Sequence, residues 1–201
     1  MNTFDAIRER RAVKHFDPDH RFSAEEFAQL MDLALQAPTS FNMQNWRFVH
    51  VADPVQRAKL RAAAVDQAQV TDASLLFVLC ANLKSWEQEP QRYWRNAPQE
   101  VQDILVPWMQ PFYEGKDVLQ RDEAMRSVGI VAQTMMLSAK AMGYDSCPMI
   151  GFDAEQVAAI IELPEDHVVG MMLTIGKATK PAWPKPGQLA LEEVLITDRF
   201  A

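Results

Sequence analysis

Ala73-Ser74-Leu75-Leu76-Phe77-Val78-Leu79-Cys80-Ala81 is a nearly continuous apolar run of strand length. A strand with one wet face alternates apolar and polar residues, whereas one covered on both faces reads as an unbroken apolar stretch. The run therefore predicts a strand with cover on both sides. On its N-terminal side, Trp46 to Val51 alternates large and polar residues as a strand does, and far downstream Val168 to Gly176 repeats strand character.

Helical signals separate these strands. Thr3 can cap a short helix through Arg10, after which Val13 to Phe16 reads as extended chain closed by Asp17-Pro18. Ser23 with Glu26 is a capping-box signature, and Phe27, Leu30, Met31, Ala34 and Leu35 recur at helical spacing until Pro38, leaving Thr39 to Gln44 as a loop. Asp53-Pro54 with Gln56 opens another helix through Lys59 to Ala64, and Asp153 with Gln156 caps one ending near Leu163-Pro164. From Arg121 to Met142, apolar residues cover a wide helical surface, with small Gly129 and Ala132 allowing close approach and Gly143 as the stop. Such a helix in a small protein is a central core helix, a dimer seam, or both.

Two segments differ in character. Residues 85–120 mix Trp86, Tyr93, Trp94, Trp108, Phe112 and Tyr113 with prolines and charges, which suits either a mobile, lid-like excursion or a set of amphipathic helices capping the core. Residues 178–201 carry prolines at 181, 184 and 186 and then strand-like stretches in LALEEVLITDRF, the pattern of an arm that reaches away from its own core toward a partner subunit. The length of 201 residues suits one domain, residues 1–201, with a substantial core.

A net charge of −7 argues against general affinity for nucleic acid or an anionic membrane, since both need a basic surface. The start MNTFDAIRERR has no apolar signal region and no apolar run reaches membrane-spanning length, so the expected location is cytoplasmic. Cys80 and Cys147 are far apart and read as buried free thiols. His15, His20, His50 and His167 fall into no zinc-binding pattern, and neither a Walker nor a Rossmann glycine motif is present, so no metal is expected.

Two polar clusters remain. Arg10-Arg11-Ala12-Val13-Lys14 offers cations suited to a phosphate and a polarised ring edge; alone, it also describes a solvated basic helix end. Pro38-Thr39-Ser40-Phe41-Asn42-Met43-Gln44 offers neutral donors and acceptors suited to a polyol or an amide-like ring; alone, it is an ordinary polar turn. Their order and separation by one amphipathic helix give the pair its meaning.

RRAVKHFD, APTSFNMQNWRF, the long helix followed by CPMIGFD, and GKATKPAWPKPGQ together resemble the nitroreductase-like family of FMN-dependent oxidoreductases, across nearly the whole chain and in order. The resemblance implies an α+β fold, a mixed central sheet flanked by helices, and an intertwined homodimer with FMN sites at its interface. It assigns Arg10 to the FMN phosphate, and Arg11, Ala12 and Lys14 to the ribityl and pyrimidine edge. Pro38, Thr39, Ser40, Asn42 and Gln44 would come from the other subunit, and Gln67 and Gln69 fall where the family contacts the pyrimidine. Pro148, Met149, Ile150 and Gly151 occupy the segment over the flavin. Some relatives have a glutamate where this chain has Ile150. Lys185 matches a second phosphate ligand, although the basic residue common two positions later is here Gly187.

The expected activity is a ping-pong NAD(P)H oxidoreductase in which NADH or NADPH reduces the flavin and a small planar acceptor, nitroaromatic or quinone-like, reoxidises it. The chemistry resides at flavin N5, so no catalytic side chain is expected. Phe41, Trp94 and Phe112 are the candidate acceptor-contacting aromatics. Reduction of a small aldehyde or enal-like metabolite, and a flavin-binding dimer without turnover, are the competing expectations.

Overall fold

A computed structural model describes residues 1–200. Helix α1 (Thr3–Glu9) is followed by α2 (Ala24–Ala34), strand β1 (Trp46–His50), α3 (Pro54–Ala63), α4 (Gln69–Asp72) and β2 (Leu75–Asn82). Then come α5 (Gln99–Tyr113), α6 (Asp117–Ala141), β3 (Asp145–Met149), α7 (Ala154–Ile160), β4 (His167–Gly176) and α8 (Leu191–Val194). The four strands form one sheet in the order β1-β2-β4-β3.

The apolar run at 73–81 becomes β2, which is buried along its entire length. Its residues alternate between two cores. Leu75, Phe77, Leu79 and Ala81 pack with Leu30 and Ala34 of α2 and with Val128, Val131, Ala132 and Met135 of α6. Leu76, Val78 and Cys80 pack on the opposite face with Leu60 of α3, Val70 of α4 and Val157 of α7. The fold is α+β, with helices on both faces of the sheet.

The resemblance implies a mixed sheet, but all three strand pairings in this chain are antiparallel. The parallel contact is the isolated bridge of Ala12 to Ser146 on the outer side of β3, too short to count as a strand. β3 itself lacks a strand signal because Asp145 and Pro148 interrupt it. Pro148 is tolerated because β3 is an edge strand whose outer side is bridged at Ser146 and not at Pro148, which pairs only with Leu173.

Several boundaries move for identifiable reasons. Asn2, not Thr3, caps α1, its Oδ1 accepting from the Asp5 amide at 3.0 Å, and Arg10 lies just past the helix end. The Ser23–Glu26 capping box forms as expected. α2 stops at Ala34, and the chain tightens through Gln36 N–H to Leu33 and Ala37 N–H to Ala34 before it reaches Pro38. The 85–120 segment folds into a 3₁₀ turn at Pro90–Tyr93 and the helix α5, with Met109 and Tyr113 completely buried, so its cover is helical. The strand-like reading of LALEEVLITDRF gives way to the short helix α8, and every residue from Trp183 to Phe200 is exposed.

Close approach of α6 to the sheet does not use Gly129, where an added Cβ would meet open space. It occurs instead at Gly170, the extra residue of a β-bulge in β4 between Val169, opposite Cys80, and Met171, opposite Leu79. A Cβ built there would lie 2.6 Å from Val128 Cγ1 and 3.0 Å from Val128 Cβ. Gly170→Ala should therefore cost about 1–3 kcal/mol by overpacking, measured by urea denaturation. The same change in a Val128→Ala background should cost clearly less; equal costs in both backgrounds would refute the contact.

Candidate active site

After α1 the chain runs extended, and Val13 N–H donates to the Ser146 carbonyl of β3 at 3.0 Å. Alternation then sends Arg10, Ala12 and Lys14 to one side and Arg11 and Val13 to the other. The fields of Lys14 and Arg10 both reach the buried Cys147 thiol, although burial is stronger and pushes that thiol up. Arg11 behaves differently: its Nη1 turns back to donate to the carbonyls of Arg8 (2.7 Å) and Arg10 (3.0 Å), covering the end of α1. Among the described residues, neither Arg10 nor Lys14 has a carboxylate partner.

Beyond β3, the predicted segment 148–151 alternates sharply in exposure. Met149 is buried at 4% and Ile150 stands out at 79%. Gly151 is held by a relay in which Gln69, itself buried, donates to Gln67 Oε1 at 2.9 Å and Gln67 Nε2 donates to the Gly151 carbonyl at 3.0 Å. The structure thus collects Arg10, Lys14, Gln67, Gln69 and the 148–151 segment around β3 and its continuation. Lys185 lies apart in the exposed C-terminal segment, with no ion pair among the described residues.

The second predicted cluster is a 3₁₀ turn, Ser40–Asn42, with positive φ at Phe41 (51°), Asn42 (54°) and Gln44 (45°). Such backbone costs energy at non-glycine residues and persists only where contacts enforce it. Here Asn42 Nδ2 donates to the Tyr93 carbonyl at 2.7 Å, Tyr113 Oη to Ser40 Oγ at 2.7 Å, and the Gln44 amide to Thr39 Oγ1 at 2.9 Å. Phe41 lies 5.6 Å from Phe112 by ring centroids, and both Phe41 and Trp94 pack on the Tyr93–Met109–Tyr113 core. The three predicted aromatics therefore share one cluster with the polar turn, while Pro38 stays exposed at its entry.

The two clusters are not brought together in this chain. The turn leads into Trp46 of β1, opposite Ala81, whereas the basic segment docks at Ser146 of β3, opposite Ile175, which in turn faces Leu75. Three inter-strand steps and the six-residue span from Leu75 to Ala81 separate them, about 14 Å across the sheet and about 20 Å along it. They occupy diagonally opposite corners.

A family model described as the Nitroreductase family matches residues 7–177, and the chain belongs to that family. It is 54% identical over 200 residues to Protein DrgA of Synechocystis sp., covering 97% of this chain and 95% of DrgA. It is also 28% identical over 204 residues to a Thermus thermophilus protein named NADH dehydrogenase, covering 95% and 93% of the two chains. A solved Exiguobacterium sibiricum structure in complex with FMN superposes with a TM-score of 0.90 at 30% identity, covering 98% of this chain and 97% of that one.

Arg47, Arg92 and Arg95, which also face the groove beside the polar turn, escaped the reading from sequence. The available signal was the interleaving of arginine with aromatics in NWR and RYWR.

The same burial that frames the basic cluster silences both cysteines. Cys80 is pushed up to about 12 by burial, and Cys147 is raised by burial despite the neighbouring cations. A thiol-reactive disulfide reagent at about pH 8 should label neither cysteine in the folded protein and both after denaturation; one rapidly labelled native thiol would contradict this.

Proposed function

We propose that the chain is an FMN-dependent NAD(P)H oxidoreductase that works as a cytoplasmic homodimer and reduces small planar acceptors of nitroaromatic or quinone type. The observation that carries this reading is the separation of its two polar clusters. A tricyclic ring cannot touch opposite corners of one sheet, but two copies related by a two-fold axis can each lend one corner to the same site. The exposed apolar residues of the C-terminal segment, Trp183 at 85%, Leu189 at 68% and Phe200 at 83%, favour the same assembly, since an arm packed on a partner would cover them.

The residues present fit FMN by their chemistry. Arg10 and Lys14 carry no internal counter-charge, and Arg10 would take the phosphate. The Gln69–Gln67 relay would fix the Gly151 backbone beside the pyrimidine edge, with half-buried Gln67 the member of the pair nearer the surface, and Ile150, exposed beside buried Met149, offers apolar cover for a ring. Arg11 and Ala12 would follow along the ribityl chain with Pro148 and Gly151 nearby, and Lys185 would reach the phosphate only if the C-terminal segment folds toward it. Pro38, Thr39, Ser40, Asn42 and Gln44 of the second copy would supply neutral hydrogen bonds from a backbone already locked by Tyr93 and Tyr113.

When bound, FMN supplies hydride acceptance and return, so the protein needs no side-chain base. Its own work is to hold Lys14 where negative charge develops on reduction and to give donor and acceptor one slot, used in turn, walled by Phe41, Trp94 and Phe112.

Arg10→Ala should weaken FMN binding about 10- to 100-fold, read from quenching of flavin fluorescence on titration with apoprotein. Unchanged dissociation would remove Arg10 from the site. Lys14→Met should make the midpoint potential of the bound flavin more negative in a redox titration; an equal or higher potential would contradict the charge argument. A purified protein that is colourless, monomeric and unable to take up added FMN would overturn the whole reading.

A further inference from the structure

The groove beside the polar turn holds about 650 Å³, and its wall carries Arg47, Arg92 and Arg95 with Trp94 and no carboxylate. In a chain of net charge −7, this is a local reversal of sign. None of the three arginines enters an ion pair among the described residues. Arg47 Nη1 donates to the carbonyls of Gln44 (3.0 Å) and Trp46 (2.9 Å), and both burial and the charge of Arg92 hold its pKa below the usual arginine range. Arg92 lies 4.9 Å from the centroid of the Tyr93 ring and donates to Tyr93 Oη at 3.0 Å, with its side chain otherwise exposed beside Arg95. Asp166, whose field reaches Arg47, is already engaged by His167 at 2.6 Å and by Gln88.

We propose that Arg92 and Arg95 bind the 2′-phosphate of NADPH and make it the preferred donor over NADH, an inference that rests on the oxidoreductase reading. The groove is larger than a single aromatic ring requires and lies in the size range of sites that enclose whole cofactors or drug-sized ligands. Asn42 and Gln44, assigned to the reacting-ring site, line this same groove together with Arg92 and Arg95, so a dinucleotide with its nicotinamide in that slot would have its adenosine half within reach of the arginines. Two planar guanidinium forks suit the doubly charged phosphomonoester. NADH presents a neutral 2′-hydroxyl at that position, which gains no charge-assisted bond from the two guanidinium groups.

The test measures bleaching of protein-bound FMN by NADPH and by NADH in the absence of acceptor, in the parent protein, Arg92→Gln/Arg95→Gln and Arg92→Lys/Arg95→Lys. Calorimetric titration of the FMN-loaded proteins with adenosine 2′,5′-bisphosphate and with AMP accompanies it. The parent should favour NADPH by about tenfold or more in the second-order rate constant for flavin reduction. The glutamine pair should lose that preference through a higher half-saturating NADPH concentration for bleaching, with the limiting reduction rate and the NADH reaction within about twofold, and the lysine pair should keep part of it. Binding of the bisphosphate should fall about tenfold or more in the glutamine pair, with AMP unaffected.

Equal use of both donors by the parent, or equal losses with both in the glutamine pair, would overturn the proposal. So would normal NADPH kinetics coupled to selective loss of turnover with 4-nitrobenzoate relative to nitrobenzene, which would give the groove to an anionic acceptor. If neither donor bleaches the flavin, the oxidoreductase reading fails separately. The bisphosphate titration then decides alone: arginine-dependent binding retains the phosphate site, and its absence removes it.

Discussion

One hydrogen bond and its neighbours fix where the basic segment lies. Val13 N–H donates to Ser146, Asp17 N–H to Lys177, and Thr179 N–H to His15, so residues 12–17 are stitched between β3 and the chain leaving β4. Val13 and Phe16 bury their side chains behind this seam at 3% exposure each, with Ala73 beside them. Val13 is buried and the next residue of the extended chain, Lys14, is exposed, so the burial of Val13 turns Lys14 outward. The placement of Arg10 and Lys14 near Cys147 thus follows from backbone pairing and apolar burial, not from attraction between charges.

The other corner is held by a different economy of forces. The backbone at Phe41, Asn42 and Gln44 sits in the left-handed region without glycine, and its hydrogen bonds run to Tyr93 and Tyr113 of the aromatic segment. Tyr113 is both a core residue and a donor to Ser40, and burial raises its pKa, so the phenol stays protonated as the bond requires. The aromatic segment is therefore the mould of the polar turn as well as a wall beside it. Change in residues 85–120 would reach the turn through these two bonds, coupling the aromatic cluster to the geometry of the polar turn.

The layered fold was legible because β2 announces its double burial in its own composition, and because Ser23, Asp53 and Asp153 are caps whose chemistry is local. β3 was not legible. Asp145 and Pro148 violate the strand pattern, and only the edge position, a property of the assembled sheet, makes them acceptable. Gly129 and Gly170 show the same limit: both are small, but which one meets a neighbour depends on the bulge opposite Leu79 and Cys80, which no helical periodicity encodes. The residue types of the candidate site were readable from its two motifs, whereas the turning of Arg11 onto Arg8 was not, because it depends on where α1 ends.

Placing the two clusters at opposite corners also constrains how such a site is built. If both lay on one edge, a monomer could close around a ring and the second copy would be dispensable. With about 25 Å between the corners, no single ring spans both clusters of one chain. In the proposed homodimer, assembly and cofactor capture would be linked equilibria: a ligand that touches both copies would stabilise the pair, and the pair would raise affinity for the ligand by the same factor. A chain that leaves Trp183, Leu195 and Phe200 exposed has apolar surface available to favour pairing before any ligand arrives, which would keep the site half-formed and ready.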